Sequence, residues 1–294
     1  MKQAQASNTA KVIAASTILL ANDRDARTAA LVAPGAVELC RLLLSGRLSD
    51  RLLARSAAHP FTRALWRMIE RLTLPGIMAH YWHRKRWIEI RCRNAIANGV
   101  GRVVILGAGF DTLGLRLSKE MPRLDVIEID HPATQSAKLN ALNNAAAMPK
   151  NIRFIACDLA VEPFPAMPLG DAKACVIIVE GVLMYLPPAE VGRLFDTLRI
   201  SVGGRAQVGF SFMSTWPDGE SGFRPKSWPI ERWLAWRDEP FMWSLPPDAM
   251  REFLLARGFR MRELALTREF TAPWPADNSR LDGENLVWCE AMGD

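Results

Sequence analysis

Four short, mostly apolar runs punctuate the second third of the chain, the first ending in a glycine turn and the other three in a carboxylate. Val103–Leu106 runs into Gly107-Ala108-Gly109, and an amphipathic segment follows. Leu124–Asp130, Asn151–Asp158 and Ala174–Glu180 repeat the pattern, each closing on a carboxylate. Continuous β-branched runs of this length predict strands buried on both faces, as in a parallel sheet. Ala206–Phe212 reads as a fifth strand, and Phe259–Leu266 and Leu286–Ala291 read as antiparallel closing strands. Helical spacing governs the first hundred residues, in Val12–Ala21, Ala36–Leu44, Phe61–Leu72 and Trp82–Ala97, and returns at Pro187–Ile200. Pro34-Gly35 and Pro75-Gly76 mark turns. Trp216, Trp228, Trp233, Trp236 and Trp243 lie among prolines, which excludes one regular helix there. This stretch predicts either an irregular cover completing the core or an aromatic lining for a pocket.

Chemistry gathers at the strand ends. A glycine turn after a first strand lets a ligand approach the backbone, but the dinucleotide fingerprint requires a third glycine where this chain has Thr112. Asp111 beside the turn would repel a pyrophosphate and suits a ligand with a cationic amino-acid end, such as S-adenosylmethionine. Asp130 follows the turn by about 20 residues, the spacing at which a carboxylate meets a ribose diol. Asp158 and Glu180 end the next two strands, so four carboxylates share the edge at which open α/β sheets bind ligands. Any one of them could cap a helix; four together point to a site.

The run Gly107–Leu117, then Glu128-Ile129-Asp130-His131-Pro132, Asp158-Leu159 and Glu180–Pro187 resemble the leucine carboxyl methyltransferase family over roughly residues 78 to 260. Two departures stand out: Arg84-Lys85-Arg86 where bacterial members often carry Arg-Thr-Arg, and Leu113 where they often carry arginine. The resemblance implies a class I methyltransferase fold, a seven-stranded, mainly parallel sheet with helices on both faces. It implies a single domain, with a helical cap over residues 1–99, a Rossmann-like core over 100–294 and a Trp/Pro-rich insertion near 213–247. S-adenosylmethionine is then the cofactor and a carboxylate oxygen of a small molecule or peptide the acceptor. Arg84 would pair with the cofactor carboxylate. Gly107, Ala108 and Gly109 would shape the turn beside Asp111, Asp130 would hold the ribose hydroxyls, Asp158 and Leu159 would meet the adenine, and Glu180 would sit near the amino group. Tyr185 is a candidate to orient the acceptor, with a core role as its alternative.

A carboxylate is already ionised at neutral pH, so its methylation needs neither a general base nor a metal. A hydroxyl acceptor would want a base, and His83 or His131 is then the candidate. O- or N-methylation of another metabolite, and a non-catalytic module keeping the fold, remain as rival functions. Asp130, Asp158 and Glu180 together speak against the second, because buried carboxylates without partners are costly.

Composition changes little. With 294 residues and 49% hydrophobic content, the chain can build a large core. Its five cysteines are scattered and lack any Cys-x-x-Cys spacing, which argues against disulfides and zinc and fits a reducing, cytoplasmic compartment. Val12–Ala21 is too short to span a bilayer and is followed by Asn22-Asp23-Arg24-Asp25 rather than a cleavage pattern, so a helix packed over the ligand site is expected, with no membrane partner. A net charge of +6 comes from arginines spread along helices, read as solvated faces, and nucleic acid is not expected as a partner.

Overall fold

The computed structural model describes residues 6–146, 148–162, 174–202, 206–229, 232, 240–270 and 281–293. Seven strands form one sheet: β1 (Arg102–Leu106), β2 (Asp125–Asp130), β3 (Ile152–Ala156), β4 (Cys175–Val179), β5 (Ala206–Met213), β6 (Phe259–Ala265) and β7 (Glu284–Ala291). Their order is β3-β2-β1-β4-β5-β7-β6. The first five are parallel, and β7 pairs antiparallel with both β5 and β6. Of the two closing strands expected to be antiparallel, β7 runs against the first five, whereas β6 runs with them and is antiparallel only to β7.

Strand alternation sorts the core into two layers. Val103, Ile105, Val126, Val176 and Ile178 face one side, where they pack with the N-terminal helices. Val104, Leu106, Ile127, Ile129, Ile177 and Val179 face the other, against Phe195, Phe210 and Phe259. Every residue of β1 and β4 is buried, which is why both read as apolar runs, β1 after Arg102, whose charge is paired with Asp125. The edge strands β3 and β6 show exposed positions.

Six helices precede the sheet: α1 (Asn8–Ala21), α2 (Ala26–Ala29), α3 (Ala36–Leu43), α4 (Leu48–Ala58), α5 (Pro60–Thr73) and α6 (Ile77–Ala97). Gly35 and Gly76 adopt the left-handed conformation just ahead of α3 and α6, so both Pro-Gly turns are real. Helices α7 (Leu113–Glu120), α8 (Pro132–Asn144), α9 (Pro188–Val202) and α10 (Met250–Leu255) follow within the sheet region. None of the described helices is long and apolar enough to cross a membrane. All five cysteines are buried free thiols.

One expectation fails at α5. Arg71 is exposed, but Arg63 and Arg67 do not form a solvated face. Arg67 pairs with Asp23 and Glu70, Arg63 donates to the Asn22 carbonyl, and Glu70 is buried and accepts the Met78 N–H. The apolar residues Phe61, Leu65, Met68, Ile69 and Leu72 are the exposed ones. Helical period alone reveals a stripe but not which way it faces, and here buried ion pairs turned the polar side inward.

The tryptophan-rich stretch divides. Trp243 is buried against Phe253 in the core, Trp216 donates to the Gly222 carbonyl, and Trp228 is exposed. Trp233 and Trp236 lie outside the described residues.

Candidate active site

Strand order reverses between β1 and β4, and that switch point is where doubly wound sheets open a crevice at the carboxyl ends. A cavity of about 530 Å³ occupies it, within the range that takes a cofactor-sized molecule. All ten sequence-predicted site residues line it: Arg84, Gly107, Ala108, Gly109, Asp111, Asp130, Asp158, Leu159, Glu180 and Tyr185. The roof comes from α1, through Ala10, Ile13, Ala14 and Thr17. Phe223, Phe241 and Met242 close the side beyond β4, so the segment after β5 lines the cavity through phenylalanine rather than through its described tryptophans.

The glycine turn serves packing as much as ligand access. Gly107 has φ +62°, and a Cβ there would overlap the Val182 side chain. At Gly109, with φ +50°, a Cβ would sit 3.2 Å from the Ala10 Cβ under the roof helix. The Gly109 N–H is donated to Asp130 Oδ2 at 2.6 Å, and His131 N–H to Asp130 Oδ1 at 2.7 Å. Asp130 therefore braces the turn with both oxygens, each keeping a further lone pair for a ligand hydroxyl. Burial holds its carboxyl above the ordinary value, against the pull of those two N–H groups.

Two cations from α6 tie Asp111, Glu180 and Glu284 together. Arg84 donates Nε to Glu180 Oε1 at 2.9 Å, and Nη1 to both oxygens of Glu284 at 2.6 and 2.7 Å. Lys85 binds Glu180 Oε1 at 3.0 Å and also Asp111. Burial penalises every charge here, yet the pairs prevail. Arg84 and Lys85 are held above their usual values, Asp111 falls well below the carboxylate range, and Glu284 drops to about 2. Asp111 also accepts the Leu113 N–H at 2.7 Å, and Asp158 accepts the Ala160 N–H at 3.1 Å, so two of the strand-end carboxylates cap local turns while facing the cavity.

Sequence reasoning placed Arg84 against a ligand carboxylate, and the structure places it between two protein carboxylates. It missed Glu284 altogether, the first residue of β7, which also accepts from His80 Nε2 at 2.8 Å. It missed Tyr81 as well. The chain has two tyrosines, Tyr81 and Tyr185, and both line the cavity. The Arg84 guanidinium lies 5.3 Å from the Tyr81 ring centre, and burial pushes the Tyr81 phenol up to about 12. Tyr81 sits one helical turn from Arg84 and Lys85, a signal that could have found it.

The histidines are not arranged as bases. His131 lines the cavity, but its Nδ1 accepts the Ala133 N–H as the cap of α8, which leaves Nε2 protonated toward Asp158 at 3.5 Å. His83 stacks on Phe270 with ring centres 5.8 Å apart and does not line the cavity.

Sheet order, switch-point cavity and strand-end carboxylates define an α/β fold of the class I methyltransferase kind. A solved protein from Thermobifida fusca, described as a putative methyltransferase, superposes with a TM-score of 0.57 at 14% identity over 87% of this chain and 94% of its own. The [4+2]-cyclase SpnF superposes at 0.51 with 12% identity over 74% and 83%, so this fold is not confined to one reaction. The chain belongs to the leucine carboxyl methyltransferase family, whose model matches residues 24–199. That match takes in the cap helices from α2 onward, of which the motif resemblance had reached only α6. A relative from Mycobacteroides abscessus named "Putative S-adenosyl-L-methionine-dependent methyltransferase" is 32% identical over 139 residues, 46% of each chain. The chain thus spans about half the length of the curated relatives it first matches.

Proposed function

We propose that this protein binds S-adenosylmethionine and methylates an oxygen of a small-molecule or peptide acceptor, with a carboxylate as the acceptor group. The observation that carries this reading is the cavity at the switch point, which brings Asp111, Asp130, Asp158 and Glu180 together beneath α1. Charge fits the cofactor. The cavity lining sets two cations, Arg84 and Lys85, against five carboxylates, Asp111, Asp130, Asp158, Glu180 and Glu284, so it favours a cationic ligand. The sulfonium cofactor, with its ammonium and carboxylate, carries one net positive charge. Asp130 would take the ribose hydroxyls, Asp158 and Leu159 the adenine, and Glu180 the ammonium, with Arg84 steering the carboxylate end. When bound, S-adenosylmethionine supplies a methyl group on sulfur that leaves in line with an attacking oxygen.

The chain's own contribution is alignment and exclusion of water, which is worth several kcal/mol as proximity alone. Tyr81 remains a neutral phenol at physiological pH and can donate to an acceptor oxygen, as can Tyr185 across the cavity. His131 is engaged as a helix cap and His80 is sealed beneath the site, which favours an acceptor that is already ionised over one needing deprotonation.

Titration calorimetry with S-adenosylmethionine and its demethylated product tests the cofactor, and absence of binding to either overturns the reading. The product tests the acceptor: a methyl ester hydrolyses in mild base, whereas an ether or methylamine survives. Asp130→Ala is expected to weaken cofactor binding by about 1.5–3 kcal/mol, since it removes both a charged acceptor and the brace on the Gly109 N–H. An unchanged dissociation constant in the folded variant would refute the assignment of Asp130.

A further inference from the structure

Helix α5 is amphipathic but docked inside out. Its polar side, with Arg63, Arg67 and Glu70, is held to the body by Asn22, Asp23 and the Met78 N–H. Its apolar stripe faces outward: Phe61 is 79% exposed and Leu72 75%, with Leu65, Met68 and Ile69 between them about half exposed. The preceding helix, which packs on α5, also exposes Leu48 and Leu52, at 64% and 53%. Monomeric proteins rarely leave a contiguous apolar patch of this kind uncovered.

Along α4 and α5 the exposed charge is of one sign. Residues 41–73 contain seven arginines against two acids, Asp50 and Glu70. Both acids are buried and paired, Asp50 with Lys11 and Glu70 with Arg67. The outer side of this helix pair therefore shows arginine and no carboxylate: Arg47, Arg51 and Arg55 stand exposed beside Leu48 and Leu52. A second copy of the chain would set arginine against arginine. A nucleic acid would answer the charge but leave Phe61, Leu65 and Leu72 in water. Leucine and phenylalanine entering an acyl boundary, with arginine at the phosphate level, satisfy both features.

We propose that the outer face of α4 and α5 docks the protein on an anionic lipid surface. The sequence reading set membranes aside because no run is long enough to span one, but a helix lying in the interface needs no spanning run. Of the two helices, α4 packs on α1, the roof of the cavity, and α5 packs on α4, so docking would bring the site to a bilayer.

Flotation of the full chain with vesicles of phosphatidylcholine, alone or mixed with phosphatidylglycerol, tests this. Binding is expected to the mixed vesicles and to weaken with salt. The double variant Phe61→Ser/Leu72→Ser should lower the bound fraction about tenfold or more at an unchanged melting temperature, both side chains being exposed. The pair Arg51→Glu/Arg55→Glu should lower it similarly. Failure of the wild type to float with anionic vesicles overturns the proposal, as does equal binding to neutral ones. A concentration-dependent dimer that the double variant abolishes, without vesicle binding, would assign the face to a second copy instead.

Discussion

A chain lacking residues 1–21 is expected to lose its cooperative melting transition and with it all cofactor binding. The apolar run of α1 carries two duties. Ala15, Ile18, Leu19 and Leu20 are almost completely buried in the core layer on the cap side of the sheet. Ser7, Ala10, Ile13, Ala14 and Thr17 line the cavity from above. The helix is also pinned by polar contacts: Trp82 donates to Thr17 at 3.1 Å, Lys11 reaches Asp50 at 2.9 Å, and the Ser7 N–H reaches Thr134 at 3.1 Å. Truncating one buried aliphatic side chain costs about 2–5 kcal/mol. Removing Ile18, Leu19 and Leu20 together therefore rivals the whole stability of a domain, about 5–15 kcal/mol. A roof that were only a lid would come away without harm to melting. Ile13→Ala separates the duties, because Ile13 is only partly buried and faces the cavity. It should melt close to the wild type while binding the cofactor more weakly. A truncated chain that melts normally would refute the core duty, and unaltered binding by Ile13→Ala would refute the roof.

The sheet was legible because its central strands are buried on both faces. β1 and β4 have no exposed position, so composition alone betrays them. The strand-end carboxylates were legible for a related reason: a charge directly after such a run has few places to go other than the sheet edge. Glu284 was hidden because the same logic fails at the head of β7. Glu284 and Asn285 look like polar residues before a strand, and the apolar pattern begins only at Leu286. Both are buried: Asn285 donates to Ser214 and accepts the Thr267 N–H, and what permits the burial of Glu284 is an arginine 200 positions earlier in the chain. No local pattern records a partner at that distance. The inverted face of α5 was lost in the same way, since Asp23 and Met78, which draw its polar side inward, lie outside the helix. Periodicity carries element type well and orientation poorly wherever ion pairs, rather than apolar contacts, decide which side packs.

Glu284→Gln should be the most damaging single substitution at the site, lowering unfolding free energy at neutral pH by about 3–5 kcal/mol, the cost of breaking a buried ion pair from one side. Glutamine can still accept from His80, but it leaves the Arg84 guanidinium with Glu180 as its remaining carboxylate. The pH dependence identifies the cause. Glu284 titrates at about 2 in the folded protein against an ordinary value of 4.5, burial being outweighed by Arg84 and His80. A depressed folded value contributes stability that is complete above the unfolded value and fades as pH falls through the folded one; this shift amounts to about 3 kcal/mol. Asp130 and Glu128 are shifted upward by burial and work in the opposite sense, so the wild-type curve alone mixes the two. Subtracting the Glu284→Gln curve cancels what both proteins share. The gap between them should be widest above pH 4.5 and close progressively toward pH 2. Urea unfolding of both proteins at a series of pH values measures it. A gap under about 1 kcal/mol at neutral pH would place Glu284 outside any strong ion pair. A gap of full size that does not narrow in acid would assign the loss to packing rather than to charge.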